Sequence, residues 1–318
     1  MEKNFVVGID IGGQTSKIGV VDAMGSVLAQ SVIRSDIYGD DASAFIKALA
    51  QAARECVEKS GKSGQIRGVG VGAPNGNYYT GEIALAANLE WAANKVVKFS
   101  EMLKEELGGI PVVLTNDANA AAVGEMTYGA AKGMKDFIMI TLGTGVGSGI
   151  VINGNVLYGN DGFAGELGHV RVVRNNGRYC NCGRYGCLEA YCSAMGVART
   201  AREWLDMSDE PSMLRELVSI TSKDIYEAAK QGDKMALRIF EHTGKILGEA
   251  MADFVAFSAP EAIVLFGGLA RAKEFLYEPI KNALNANVLT IWKNKVDIVF
   301  SSLKESDAAI LGASALAW

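Results

Sequence analysis

The segment "VVGIDIGGQTSKIGVVDAMGSVL" at 6–28 is echoed at 138–157 by "IMITLGTGVGSGIVINGNVL". Each copy has an apolar stretch, a glycine-rich turn, a second apolar stretch ending in Asp or Asn, another glycine turn and a third apolar stretch. Runs rich in valine and isoleucine and broken by glycine are strand signals. Two copies, rather than a long array, indicate internal duplication of one supersecondary unit. The natural architecture is two facing lobes with a cleft between them.

Around the copies the pattern alternates. A helix is expected near 42–59, a buried strand at "IRGVGVG", helix over 95–108, and a short strand at "PVVLT". An alanine-rich helix begins at Asp117, with Asn116 or Asp117 suited to its N-terminus. Long helices follow near 196–206, 222–231 and 233–257. The strands "AIVLFGG" and "VDIVFSS" come next, and a helix runs from Asp307 to the end. The fold class is therefore α/β.

Composition narrows the function. Apolar residues make up 49% of the 318, enough to fill an ordinary core. The net charge of −5 offers no basic field for nucleic acid or an anionic membrane. The N-terminus "MEKNFVVGID" lacks a signal-peptide core, and no apolar run approaches the length of a membrane span. A cytoplasmic protein is expected.

"DIGGQTSKIG" and "LGTGVGSG" are not Walker A loops, and each leads into another strand rather than a helix. A glycine hairpin is often only a turn. Duplicated after buried strands, the two favour a polyphosphate approached by backbone N–H groups, with Thr15 or Thr144 adding a hydroxyl. Asp10 precedes the first turn, where it could meet a phosphate-bound Mg²⁺ directly or through water. "LFGG" at 265–268 is a third strand-to-glycine turn, suited to approach by an adenosine.

Asp117 has two readings, an N-cap carboxylate or a general base. Phosphoryl transfer needs a carboxylate to accept a hydroxyl proton, a metal on the phosphates and accurate positioning. The neighbouring Asn116 amide offers both donor and acceptor atoms to a hydroxylated acceptor.

The chain's five cysteines include three in "CNCGRYGCLE". His169, Cys180, Cys182 and Cys187 read H-x10-C-x-C-x4-C, a Cys₃His set that suits closed, structural tetrahedral zinc better than unliganded thiols. "CNCG" fits a redox CxxC poorly. Cys56 and Cys192 read as core or surface thiols, and His242 as an ordinary helical residue. Glu166 and Glu189 flank the cluster. With zinc on one imidazole nitrogen, the other N–H and two carboxylates would suit vicinal hydroxyls, a sugar-binding surface.

Taken together, "DIGGQTSKIG", "GVGAPNGNYYTGEI", "NLEW", "NDANAAAVGE", "LGTGVGSG", "GELGHVRV", "CNCGRYGCLE", "FGG" and "DAAILGA" span nearly the whole chain. On these motifs the chain resembles the ROK family (repressors, open reading frames and sugar kinases), and most resembles its bacterial glucokinases. The family belongs to the actin-like sugar kinase/Hsp70 superfamily. The resemblance implies a two-lobed actin-like/ribonuclease H-like sugar kinase fold with a central cleft. The implied small lobe is 1–117 plus 303–318, and the implied large lobe, 118–302, holds the zinc segment.

The resemblance also implies roles. Asp117 would be the catalytic base, with Asn88, Asn116, Glu166, His169 and Glu189 as the other sugar contacts. Zinc would lie at His169, Cys180, Cys182 and Cys187. ATP phosphates would meet Gly12, Gly13, Gln14 and Thr15 with Gly143, Thr144 and Gly145, and adenosine would meet Gly267 and Gly268. A homodimer is also implied. The chain departs from the family in having Gln14 where Thr is usual, and Asn75 where Gly is commoner. The expected activity is ATP-dependent phosphorylation of the glucose 6-hydroxyl. Alternatives are an N-acetylhexosamine, fructose or allose kinase. A sugar-sensing repressor is disfavoured, because the first hairpin's strand starts by about Phe5 and leaves no room before it for a helix-turn-helix.

Overall fold

Both copies of the repeated segment fold as antiparallel hairpins whose first strand is extended by parallel partners. The computed structural model describes residues 3–318. The first copy gives β1 (Phe5–Ile11), β2 (Thr15–Asp22) and β3 (Val27–Arg34). After them come α1 (Ala42–Ser60), β4 (Ile66–Gly72), the short strands β5 (Ile83–Ala84) and β6 (Val96–Val97), α2 (Phe99–Glu106), β7 (Val112–Thr115) and α3 (Asp117–Tyr128). The second copy gives β8 (Phe137–Leu142), β9 (Val146–Ile152) and β10 (Asn155–Val156). The chain continues through α4 (Glu189–Cys192), α5 (Ala194–Met207), α6 (Ser222–Lys230) and α7 (Lys234–Ser258). It ends with β11 (Ala262–Phe266), α8 (Lys273–Asn287), β12 (Asp297–Phe300) and α9 (Glu305–Ala315).

Two compact units result. The first takes the chain up to Met134, with Asn155–Gly165 and Ser302–Trp318; the second takes Lys135–Gly154 and Glu166–Ser301. In the first, strand order is β3-β2-β1-β4-β7. β3 alternates half-buried and exposed residues, the signature of an edge strand wet on one face. β1 and β4 are almost continuously buried and lie inside the sheet. On one face Phe45 of α1 stacks on Trp91 at 4.5 Å between centroids, and Trp91 on Phe99 of α2 at 6.1 Å. Full burial of each phenylalanine contributes about 1.5–3 kcal/mol.

Glycine makes the other face possible. A Cβ at Gly8 would lie 2.1 Å from the Ile310 carbonyl oxygen, and one at Gly70 would lie 1.9 Å from that of Ala313. With no side chain at either position, α9 lies directly on β1 and β4. α3 meets α9 the same way, Gly124 against Gly312, where a Cβ would come within 2.6 Å of the opposing Cα. This contact is why α3, which begins at the expected lobe boundary of 117, packs with the first unit.

In the second unit β9, β8, β11 and β12 are neighbours in that order, with α7 and α8 packed on each other. Two elements differ from expectation. Val96 and Val97 pair with Ala84 and Ile83, so the helix expected over 95–108 begins only at Phe99. The last helix begins at Glu305 rather than Asp307. Among the described residues no helix is long and apolar enough to cross a membrane.

Candidate active site and metal centre

In the first unit, Asp10 lies one residue before the end of β1, and the turn Gly12–Gln14 leads into β2. The turn closes through the Gly12 N–H to the Thr15 carbonyl, 3.0 Å. A Cβ at Gly13 would lie 2.8 Å from the Asn88 carbonyl oxygen, so the second glycine lets the "NLEW" segment abut the turn. The Gln14 carbonyl accepts from the Ser35 N–H at 2.8 Å. Of the two hydroxyls after Gln14, Ser16 is buried and shares a 2.8 Å hydrogen bond with Ser35, whereas Thr15 stands exposed at the turn.

Asn116 and Asp117 divide the start of α3 between them. Asn116 has extended backbone and is the N-cap; its Oδ1 accepts from the Ala118 N–H at 2.9 Å. Asp117 Oδ1 accepts from the same N–H at 2.8 Å. The capping duty that sequence could assign to either residue falls to Asn116, with Asp117 in the first turn. Asp117 is exposed as a residue, yet the atoms around it desolvate the carboxyl and raise its pKa, against the lowering from the Ala118 N–H and its own. Asp10 is pushed up to about 6, chiefly by burial, then by the charge of Asp117, with Lys17 opposing. A buried carboxyl raised further by a second carboxylate is the donor chemistry a hard divalent cation relieves.

In the second unit the β8–β9 turn is closed by the Gly143 N–H to the Gly145 carbonyl, 3.0 Å. Thr144 is exposed at its tip. Neighbouring groups hold the turn. The Val146 N–H donates to Glu189 Oε2 at 2.9 Å, the Gly147 N–H to Thr141 Oγ1 at 3.0 Å, and the Ala194 N–H to the Gly143 carbonyl at 2.8 Å. β11 is followed by Gly267, whose φ of 105° and would-be Cβ contact of 2.6 Å to the Leu142 carbonyl oxygen both require glycine. Beside Gly268 lies a cavity of about 270 Å³ lined by Ser222, Lys223, Tyr226 and Glu227 of α6, with Leu269, Arg271 and Ala272. Those α6 residues were not singled out from sequence; their only signal is a polar stripe on a helix.

His169, Cys180, Cys182 and Cys187 converge, their donor atoms all within 4.8 Å of one another. Cys182 and Cys187 sulfurs are 3.6 Å apart, and Cys180 Sγ is 3.7 Å from His169 Nδ1. All five cysteines are free. These two separations are close to the edge of a tetrahedron with metal–sulfur bonds of about 2.3 Å, roughly 3.8 Å, and a Cys₃His donor set is of the kind that suits zinc. Nδ1 faces the cluster, which leaves Nε2 for an outside partner. Burial works against the Cys182 thiolate, but Arg184 and the neighbouring thiols outweigh it and bring the thiol down to about 6. Burial pushes Cys180 up. Arg184 also donates to the His169 carbonyl at 3.1 Å.

Arg178 anchors the same loop to α5. It pairs with Glu203 at 2.6 Å and donates to Thr200 Oγ1 at 2.9 Å. Neither arginine was apparent from spacing. Cys56 and Cys192 are buried, and His242 lies against Trp204 with its pKa lowered by burial. Glu166 is exposed, and its carbonyl accepts from the His169 N–H at 3.1 Å.

A pair of glycine hairpins, an acid opening a helix and a Cys₃His cluster make this a phosphotransferase-like α/β protein with a candidate metal site. The sequence model of the ROK family matches residues 6–318, and the chain belongs to that family. It is 36% identical to the glucokinase of Halalkalibacterium halodurans over 98% of this chain and 94% of that one. A ROK family glucokinase from Streptomyces griseus, solved in complex with glucose and AMPPNP, superposes with a TM-score of 0.79 at 31% identity, covering 98% of each chain. The xylose repressor of Caldicellulosiruptor bescii is 26% identical over 98% of this chain and 77% of its own. The fold is that of the two-lobed actin-like sugar kinases.

Proposed function

We propose that the chain is an ATP-dependent hexose kinase that transfers the γ-phosphoryl group to the 6-hydroxyl of glucose. The observation that carries this is the division of labour at α3: Asn116 caps the helix, and the exposed residue Asp117 has a raised pKa and a charge felt by Asp10. The glucokinase similarity supports glucose as the acceptor.

In this reading Asp117 accepts the proton of the 6-hydroxyl as its oxygen attacks the γ-phosphorus in line. A carboxyl with raised pKa is the better base for that proton. Asp10 meets the Mg²⁺ that accompanies ATP. Backbone N–H groups at Gly12, Gly13, Gln14 and Thr15, and at Gly143, Thr144 and Gly145, receive the phosphates; Thr15 adds the hydroxyl that Ser16 cannot. Adenosine lies at Gly267 and Gly268 and uses the cavity beside α6. Asn88, Asn116, Glu166, His169 and Glu189 hold the sugar. His169, Cys180, Cys182 and Cys187 hold zinc, which supplies no reacting atom and fixes the loop that presents His169 and Glu189.

The family resemblance supports a homodimer, and ATP use with five free thiols supports the cytoplasm. The test is a coupled kinase assay with ATP and Mg²⁺ across a panel of hexoses. Glucose 6-phosphate formation is the expected result, and absence of turnover with every sugar would overturn the reading.

A further inference from the structure

Glu189 occupies a place that neither sugar binding nor metal binding requires. Its Oε2 accepts from the backbone N–H of Val146, 43 residues earlier, at the point where the β8–β9 turn enters β9. Val146 is 4% exposed, so its N–H has no ready solvent substitute. Oε2 also fills the space over the turn, because a Cβ at Gly145 would lie 2.4 Å from it. Gly145 has no positive φ, so the carboxylate, and not backbone conformation, demands glycine there. The other oxygen, Oε1, faces the cysteine cluster and accepts from the Cys180 thiol at 3.6 Å, a donor it would lose once that sulfur is a metal-bound thiolate.

The neighbouring chain reinforces this grip. Just after α4, the Ala194 N–H donates to the Gly143 carbonyl, at the opposite side of the same turn. From the "GELGH" segment, the Leu167 N–H donates to Ser148 Oγ at 3.0 Å. Gly168 passes so close to Val146 that a Cβ would lie 1.9 Å from its carbonyl oxygen. The turn is therefore held by the same stretch of chain that presents the cluster, and one side chain joins the two.

We propose that Glu189 is a positioning residue that couples acceptor recognition to nucleotide recognition: Oε2 sets the β8–β9 turn for the phosphates, and Oε1 is the oxygen left for a sugar hydroxyl. This rests on the sugar and phosphate assignments proposed above. A sugar hydroxyl on Oε1 orders the carboxylate that holds the turn. By linkage, a nucleotide that orders the turn favours the sugar by the same factor.

The test uses the whole chain as purified and titrates it with AMPPNP and Mg²⁺ without any sugar. Glu189→Ala is expected to weaken AMPPNP about tenfold, the size of one lost charge-assisted hydrogen bond. It should raise the glucose KM as well. Glu189→Gln keeps an amide oxygen for the Val146 N–H, so AMPPNP affinity should return to within about twofold of the parent while the glucose KM stays raised. Gly145→Ala, whose methyl would collide with Oε2, should raise the glucose KM from the nucleotide side. Unchanged AMPPNP affinity in Glu189→Ala, or no rescue by Glu189→Gln, would overturn the proposal. If Glu189→Ala loses its fold by circular dichroism, an unchanged glucose KM in Gly145→Ala does so instead. A parent protein that binds no AMPPNP refutes the kinase reading, a distinguishable outcome.

Discussion

Asn116 and Asp117 share one backbone donor, the Ala118 N–H, at 2.9 and 2.8 Å. Because Asn116 suffices to cap the helix, the acid beside it is dispensable to the fold. Asp117→Asn should fold with a melting temperature close to the parent's, retain sugar binding, and lose about 10²–10⁴-fold or more in kcat. Near-normal turnover in that variant would return Asp117 to a structural role.

The raised carboxyls set a pH dependence with a definite sign. Asp117 must be unprotonated to act, and its pKa lies above the ordinary value, so the acid limb of kcat/KM should sit above the usual carboxylate range. With Asp10 at about 6, the limb at low Mg²⁺ should fall through about pH 6 and move down as Mg²⁺ rises. For stability, the folded protein binds more protons at Asp10 than the unfolded chain between about pH 4 and 6. The group therefore becomes destabilising as pH rises through its folded pKa, by up to about 3 kcal/mol. Asp10→Asn should accordingly raise the melting temperature at pH 7.5 and leave it unchanged at pH 3, while abolishing activity. Equal shifts at both pH values would refute the assignment.

The cysteine cluster should carry about one zinc per chain. Cys182→Ser should lower both metal content and sugar affinity, because the loop that holds the thiolates also presents His169 and Glu189. Elemental analysis beside a glucose titration checks this. Active protein free of zinc, or metal loss with sugar affinity intact, would break the connection.

Glucose should exceed N-acetylglucosamine in kcat/KM by about 10²-fold or more, since a site built around hydroxyl hydrogen bonds rejects an analogue that leaves them unpaired. The "GAPNGNYYTG" loop also has little freedom to open for an acetamido group. Tyr78 stacks on Tyr158 at 4.1 Å, the Tyr79 hydroxyl donates to the Gly159 carbonyl at 2.9 Å, and the Asn77 amide donates to the Asp161 carbonyl at 2.6 Å. A panel of glucose, N-acetylglucosamine, N-acetylmannosamine, fructose and allose decides it. Any of the other four outperforming glucose would change the substrate and leave the kinase standing.

What sequence disclosed follows from range. The Cys₃His set was readable because its ligands fall within 19 residues and the glycines between them permit convergence. Asp117 was readable because strand, acid and helix are consecutive. Glu189 was noticed for its neighbours in the chain, but its bond to Val146 depends on tertiary placement that spacing does not encode. The same holds for Asn88 against Gly13, for Arg178 on α5, and for the α6 residues around the Gly268 cavity. Gly8 and Gly70 lie inside β1 and β4, where glycine by itself weakens a strand. Their purpose appears only when α9, more than two hundred residues later, lies against them.

That last contact has a consequence for how the chain is made. The sheet carrying Asp10 and the first glycine turn is complete in sequence once β7 emerges, but its α9 face stays bare until residues 302–318 have followed. At ordinary rates of synthesis that is roughly ten to forty seconds of exposure for a glycine-lined, apolar surface. During this interval the first hairpin lacks the packing that α9 gives its sheet in the folded unit. The first glycine turn is therefore expected to reach its full stability only after residues 302–318 have joined the unit, however early Asp10 and Asp117 are translated.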